Sequence, residues 1–235
     1  MNILKKCRIL FPFQLLLFFL VCPHPLLALE PAVSYDKGIP KVEAIKLPKP
    51  RFASDTSVEA ALLSRRSIRS YQKEPLTLPE VSQILWASQG ITEPQKGLRT
   101  APSARALFLL EVYFFAGEVT GLPKGMYKYH PGEHALTVIR VGDQKADLYQ
   151  AVNQGPVKDA PAALVFTGLR DKSSNPAWMY LEAGHAAQNV YLQAVPLNIG
   201  TVVMAGFSPE KLKKALAFPE NEQPIYVMPL GKRIP

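Results

Sequence analysis

After residue 22 the chain has no cysteine. Cys7 and Cys22 are the only thiols in 235 residues. Beyond them a thiol nucleophile, a disulfide framework and cysteine-ligated zinc or iron–sulfur are excluded. Histidine is scarce as well: His24, His130, His134 and His185. His130 and His134 share a turn, and only His185 lies in a helical pattern, three residues from Glu182. One His and one Glu do not make a catalytic zinc site, so that pair reads as structural and no metal is expected. Gly-x-Gly-x-x-Gly and the P-loop are absent, which removes the two commonest glycine-rich phosphate cradles. Past residue 30 no apolar run is long enough to span a bilayer. No Lys/Arg tract interleaves with aromatics, so a formal charge of +8 does not argue for nucleic acid.

The beginning of the chain is built differently from the rest. Lys5, Lys6 and Arg8 precede an apolar core from Ile9 to Val21, broken by Pro23 and Pro25 and followed by Leu26-Leu27-Ala28. This pattern predicts a secretory signal peptide over 1–28 and hence a periplasmic or secreted protein. Removing 28 of the 235 residues leaves 207, and losing three basic residues takes the formal charge from +8 to +5. That length suits one domain with a sizeable core. Residues 29–55 carry Pro31, Pro40, Pro48 and Pro50 without periodicity and read as an extended arm or linker. The domain proper is expected over 56–235.

Within it, Asp55 or Thr56 is placed to cap a short helix running to Arg65. Thr77-Leu78-Pro79-Glu80 has capping-box spacing, Val81, Ile84, Leu85 and Ser88 share one face, and Gly90 is the stop. Strands are expected over 106–116, 126–129, 135–140, 162–169, 201–204 and 225–230, and helices over 143–153, 176–195 and 209–217. His130-Pro131-Gly132-Glu133-His134 is the hairpin turn between the second and third strands. The order defines an α+β fold, an α/β/α sandwich around a mainly antiparallel sheet.

Ser64-Arg65-Arg66-Ser67-Ile68-Arg69-Ser70-Tyr71 puts three guanidinium groups and several hydroxyls together with no interleaved acid. Guanidinium forks bind phosphate bidentately. Pro102-Ser103 heads a strand, and Ala205-Gly206 and Gly231-Lys232-Arg233 lie at strand ends. Converging, these groups suit an anionic planar cofactor such as flavin mononucleotide (FMN), with two distant basic clusters on one phosphate.

Arg65-Arg66-Ser67-Ile68-Arg69-Ser70-Tyr71, Pro75-Leu76-Thr77-Leu78, Leu85-Trp86-Ala87-Ser88-Gln89-Gly90-Ile91-Thr92, Arg99-Thr100-Ala101-Pro102-Ser103-Ala104, Leu181-Glu182-Ala183-Gly184-His185-Ala186-Ala187-Gln188-Asn189 and Leu230-Gly231-Lys232 occur in this order. Together they resemble the nitroreductase family, and most closely its SagB-type, thiazoline-oxidase-like dehydrogenases. The resemblance implies an FMN-binding sandwich, normally a homodimer with flavin at the interface. By position it implies that Arg65, Arg66, Ser67 and Arg69 hold the phosphate and ribityl chain. It implies that Pro102, Ser103 and Ala104 approach from the partner, that Ala205 and Gly206 lie against the ring, and that Lys232 or Arg233 returns to the phosphate. The Ala/Gly face of the 176–195 helix would belong to the dimer core. Where the branch usually has Gly-Ala-Leu-Tyr-Pro-Leu-Glu, this chain has Arg105-Ala106-Leu107-Phe108-Leu109-Leu110-Glu111, and its 171–179 segment is short.

Tyr180, Glu182 and Arg105 are the candidate catalytic groups by neighbourhood. The expected activity is an FMN-dependent oxidoreduction of a small molecule or peptide. A catalytically impaired flavin- or ligand-binding module on the same fold is the alternative.

Overall fold

The computed structural model describes residues 44–235. The signal-peptide expectation and the first part of the arm, 29–43, lie outside the described residues. Chain order is β1 (Ile45–Lys46), α1 (Val58–Ser64), α2 (Leu78–Gln89), β2 (Leu110–Ala116), β3 (Gly125–His130), β4 (Ala135–Val141), α3 (Lys145–Val152), α4 (Gly155–Asp159), β5 (Ala162–Leu169), α5 (Ala177–Ala194), β6 (Ile199–Thr201), α6 (Pro209–Leu216) and β7 (Glu222–Lys232). The seven strands form one sheet in the order β1-β4-β3-β2-β5-β7-β6, every neighbouring pair antiparallel.

Period-two alternation assigns the two faces of the sheet. Along β2, Leu110, Val112 and Phe114 join a core with α2 and α5, while Tyr113 and Phe115 join a second core with α3, α4 and α6. The register pairs Val112 with Phe166 and Phe114 with Leu164, so large side chains stack across β2 and β5. Phe114, Phe115 and Phe166 are wholly buried. Each such ring contributes about 1.5–3 kcal/mol relative to exposure. The result is the expected three-layer sandwich.

Local signals place the helices. Ser57 caps α1, its Oγ accepting from the Ala60 N–H at 3.1 Å, rather than Asp55 or Thr56. Thr77 and Glu80 close the capping box of α2, and Gly90 ends it. Met179, Ala183, Ala186, Val190 and Ala194 turn one face of α5 into the core. This corrects the expectation for the small-residue face. Ala183, Ala186 and Ala187 are buried within the subunit, against its own α2 and sheet, and Gly184 alone of that cluster points outward. Compact side chains there let α5 lie close to the sheet.

Two strand boundaries also differ from expectation. β2 begins at Leu110, because residues 104–106 form a 3-10 turn instead of strand. The strand expected at 201–204 is β6, ending at Thr201, and Met204 then makes only an isolated bridge to Val227. Residues 45 and 46 of the arm pair with β4, so this part of the arm is sheet rather than linker. Among the described residues no helix is long and apolar enough to cross a membrane.

Candidate functional site

The Arg65–Tyr71 stretch leaves α1 and runs along the free edge of the sheet. Ser67 bridges Thr201 in parallel, and the Ile68 N–H donates to the Thr201 carbonyl at 2.9 Å. Tyr71 bridges Arg233, and the Gln72 N–H donates to the Lys232 carbonyl at 3.0 Å. Two glycines allow this close approach. A Cβ on Gly200 would sit 2.6 Å from Ile68 Cγ2, and one on Gly231 would sit 2.7 Å from Tyr71 Cβ. The stretch is therefore pinned to the ends of β6 and β7, which carries Arg65 and Arg66 to Arg233.

Arg65, Arg66, Tyr191, Thr201 and Arg233 line one narrow cleft. The Arg65 guanidinium lies 5.3 Å from the Tyr191 ring centroid. Arg66 Nη1 donates to the carbonyls of Leu63 and Arg65 at 2.9 and 2.8 Å, closing the end of α1. Arg69 is exposed, its Nη1 3.5 Å from the Ser67 carbonyl. Among the described residues none of these four arginines pairs with a carboxylate. Ser67 Oγ lies 3.2 Å from the Tyr191 hydroxyl, which accepts from the Val203 N–H at 2.8 Å. Thr201 Oγ1 is buried at this cleft and has no hydrogen-bond partner among the described residues.

Lys232 does not join the arginines. Its ammonium pairs with Glu80 of the α2 capping box, with both side chains mostly buried. Burial pushes the Glu80 carboxyl up, but hydrogen bonds from Lys232 and Thr77 outweigh it and hold the pKa below the usual carboxylate value. Of the two C-terminal cations, Arg233 therefore reaches the cleft and Lys232 locks a helix start.

Ala205 and Gly206 follow the Met204 bridge and are exposed, with Gln154 Nε2 donating to the Gly206 carbonyl at 3.1 Å.

Pro102, Ser103 and Ala104 occupy a second place, alongside the first half of α5. Ser103 Oγ donates to Glu182 Oε2 at 2.6 Å and accepts from the Phe108 N–H at 2.8 Å. The Leu109 N–H donates to the same Oε2 at 3.0 Å, and Gln89 Nε2 donates to Oε1 at 3.2 Å. Gln89 in turn accepts from Arg99 Nη1 at 3.0 Å, and the Arg99 guanidinium stacks 4.4 Å from the Phe108 ring. Glu182 does not pair with His185, contrary to expectation. Glu182 points inward at 1% exposure, while His185 is exposed with Nδ1 3.2 Å from the Pro102 carbonyl. Glu182 and Tyr191 are nine residues apart on α5, about 13 Å along its axis. Within one chain the Pro102–Ala104 loop and the arginine cleft thus stay separate.

The remaining catalytic candidates are placed as follows. Arg105 is exposed with φ 54°, in the left-handed region, as are Ala106 and Phe108. Tyr180 accepts from Gln223 Nε2 at 2.9 Å beside a cleft of about 270 Å³ between β5 and the start of α5. Gln89 and Arg99 lay within the motifs quoted from the sequence but were given no role there, and Tyr191 and Thr201 were not singled out as site residues. An aromatic on a helix and a threonine in a short strand carry no distinguishing spacing.

Residues 62–232 match the nitroreductase family, and the chain belongs to it. A relative in Methanocaldococcus jannaschii, named as a nitroreductase, is 35% identical over 205 residues, covering 83% of this chain and 96% of its own. The trifolitoxin operon protein TfxC of Rhizobium leguminosarum bv. trifolii is 25% identical and covers 80% of this chain, which spans 59% of TfxC. Among solved structures, a nitroreductase-family protein from Ralstonia eutropha JMP134 superposes with a TM-score of 0.72 at 28% identity, covering 82% of this chain and 90% of its own. One from Desulfovibrio desulfuricans, solved in complex with FMN, gives 0.57 at 21% identity, covering 77% and 89%.

Proposed function

We propose that the chain is an FMN-dependent oxidoreductase of the SagB-type, thiazoline-oxidase-like branch. It would act as a homodimer after export to the periplasm. The observation that carries the reading is the cleft of Arg65, Arg66 and Arg233. Among the described residues its guanidinium groups have no carboxylate partner, and it holds a buried hydroxyl, Thr201 Oγ1, without a hydrogen bond. A terminal phosphate supplies the acceptors those donors lack. The residues present therefore fit the cofactor.

Arg65 and Arg233 would grip the phosphate from two sides, with Ser67 and Thr201 adding hydroxyl donors. Arg66 keeps the end of α1 closed, and Arg69 stands outside as a second cation. The solvent-facing amides of Ala205 and Gly206 offer donors to the ring edge. When bound, FMN supplies the two-electron redox chemistry, and the protein holds it and excludes water.

The homodimer has its own support. Leu62, Leu63, Val58, Leu181 and Phe52 are all more than half exposed on α1, α5 and the adjoining segment. Exposed apolar side chains of this size, where they cluster, mark protein–protein surfaces. The family resemblance adds that the Pro102–Ala104 loop of one copy would approach the flavin of the other. The order of motifs from Arg65 to Lys232 and the likeness to TfxC support the SagB-type assignment. The basic, apolar N-terminal segment supports export. Outside the cytoplasm reduced nicotinamides are scarce, so the electron donor would be a small molecule or peptide.

The test is a visible spectrum of the exported protein purified from cells. A yellow protein carrying one FMN per chain is expected, with its N-terminus near residue 29. A colourless protein that FMN neither binds nor stabilises overturns the reading. Glu182 is buried and takes three donors, from its own loop and from Gln89, so it offers no free base. This favours, as a second reading, a module that binds flavin without turnover. Bound FMN that dithionite reduces but no donor or acceptor cycles would select it.

A further inference from the structure

The loop over residues 102–109 hangs on a single carboxylate. Ser103 near its start and Leu109 at its end both donate to Glu182 Oε2. The Ser103 hydroxyl also accepts from the Phe108 N–H, which closes the loop into a ring. Between these ties, Arg105, Ala106 and Phe108 all hold positive φ, at 54°, 54° and 49°. Non-glycine residues rarely adopt that region and keep it only when their surroundings over-determine it. The surroundings here are Glu182, supported by Gln89 and Arg99 behind it. Among the described residues Glu182 makes no direct ion pair. Its charge is balanced one side chain away by Arg99, so its three donors are directed by the fold.

We propose that Glu182 is a positioning residue for the flavin of the other subunit, acting by holding the 102–109 loop in one strained shape so that Pro102, Ser103 and Ala104 meet that flavin correctly. The proposal rests on the FMN-binding homodimer reading above. It gives α5 two duties about 13 Å apart along its axis. Tyr191 supports the cleft that holds the chain's own cofactor, and Glu182 shapes the loop offered to its partner's. A carboxylate is suited to this task because each oxygen accepts more than one bond, so one group fixes both ends of the loop.

The experiment begins with the wild-type dimer and FMN. Wild-type chain that binds no FMN defeats the underlying reading, whatever Glu182 does. With FMN bound, E182Q keeps the size of the side chain but presents an amide NH2 where an acceptor is needed. It is expected to remain a dimer, to bind FMN on the order of tenfold more weakly through loss of charge-assisted bonding, and to change the visible circular dichroism of the flavin. If E182Q does not fold, E182Q/R105G carries the same comparison, since glycine accepts the left-handed backbone without support.

Mixed dimers decide the direction of action. One subunit carries the Glu182 variant and the other carries R65A/S67A. Action across the interface leaves one site whole, built from an intact cleft and an intact loop, so one tightly bound FMN per dimer is expected. Loss of both tight sites in the mixed dimer overturns the proposal, as does a Glu182 variant whose affinity and flavin dichroism equal the wild type's.

Discussion

Replacing Arg65 and Arg233 together with alanine tests the proposed phosphate cleft apart from the neighbouring Lys232–Glu80 pair. A charge-assisted hydrogen bond contributes about 1.5–3 kcal/mol net, roughly a factor of 10 to 150 in affinity. Two arginines on one phosphate couple and do not add fully, so the double variant should bind FMN about 10²–10³ times more weakly. The fold should hardly notice. Arg65 gives up its contact 5.3 Å from the Tyr191 centroid, worth about 0.5 kcal/mol at a partly exposed site, and Tm should fall by about 2 °C. K232M is the counter-experiment. It removes the partner of Glu80, a mostly buried carboxylate at the start of α2, at a cost of about 1–3 kcal/mol. Tm should then fall by about 2–12 °C, with FMN affinity staying within about threefold on the ~1.4 kcal/mol-per-decade scale. Titration by quenching of FMN fluorescence, paired with thermal melts, reads both quantities. If R65A/R233A binds FMN like the wild type, or if K232M loses FMN as strongly as it does, the assignment of Arg233 rather than Lys232 to the phosphate is wrong.

Three further outcomes follow from the geometry. R105G removes a left-handed non-glycine residue, which costs about 1–2 kcal/mol. Glycine's extra unfolded-state freedom offsets part of this, so a gain near 1 kcal/mol is expected in a urea melt, and a destabilised variant contradicts the strain. E222A deletes a buried carboxylate that accepts from Tyr113 at 3.0 Å, from Lys128 at 3.2 Å and from Thr167. Stability should drop by about 3–5 kcal/mol, and a loss under about 1 kcal/mol in chemical denaturation would show the network to be dispensable. Burial holds the His134 pKa below the usual imidazole value, with the Pro48 carbonyl only partly offsetting it. An unfolded histidine titrates near ~6.5. Between that value and the lower folded one the unfolded chain binds more protons, so stability is full above about pH 6.5 and falls as the pH drops below it. Urea melts from pH 8 to 5.5 should show this slope in the wild type and lose it in H134Q. An equal slope in both would place the titration elsewhere.

Much of the fold was legible because its signals are local. The Thr77–Glu80 box, Gly90 and the apolar run 162–169 mark their elements with residues a few positions apart, and the structure places the boundaries close to those marks. The loop before β2 was not legible in this way. Ala106 to Leu109 has strand composition, but Glu182 captures Ser103 and Leu109 from more than 70 residues away and holds the intervening backbone in a turn. The site divides along the same line. The arginine stretch is visible in sequence because charges without acids stand out. The choice between Lys232 and Arg233 depends on Glu80, a helix cap 152 residues from Lys232. Thr201 acquires meaning only when it is seen buried and unpartnered. The small residues of α5 were noticed, but their spacing alone does not say whether the helix they admit belongs to this chain or to another.

The short β1 has a consequence for where the chain can be cut. Ile45 and Lys46 pair with Leu136 and Ala135 at the start of β4's outer edge, and just beyond them the Pro48 carbonyl takes Ser82 and His134. Arg51 exchanges two hydrogen bonds with the Gln83 amide, its N–H donating at 2.7 Å and its carbonyl accepting at 3.0 Å. A protein trimmed to start at residue 56 would keep every residue of the arginine cleft yet unpair Ala135 and Leu136, leaving the outer edge of β4 without β1. An open edge recruits strands from other molecules. Such a trimmed protein should precipitate or form sheet-bridged oligomers, whereas cleavage near residue 28 leaves the cover in place. Residues 45–51 would thus guard against self-association, whether or not the segment before residue 29 is removed.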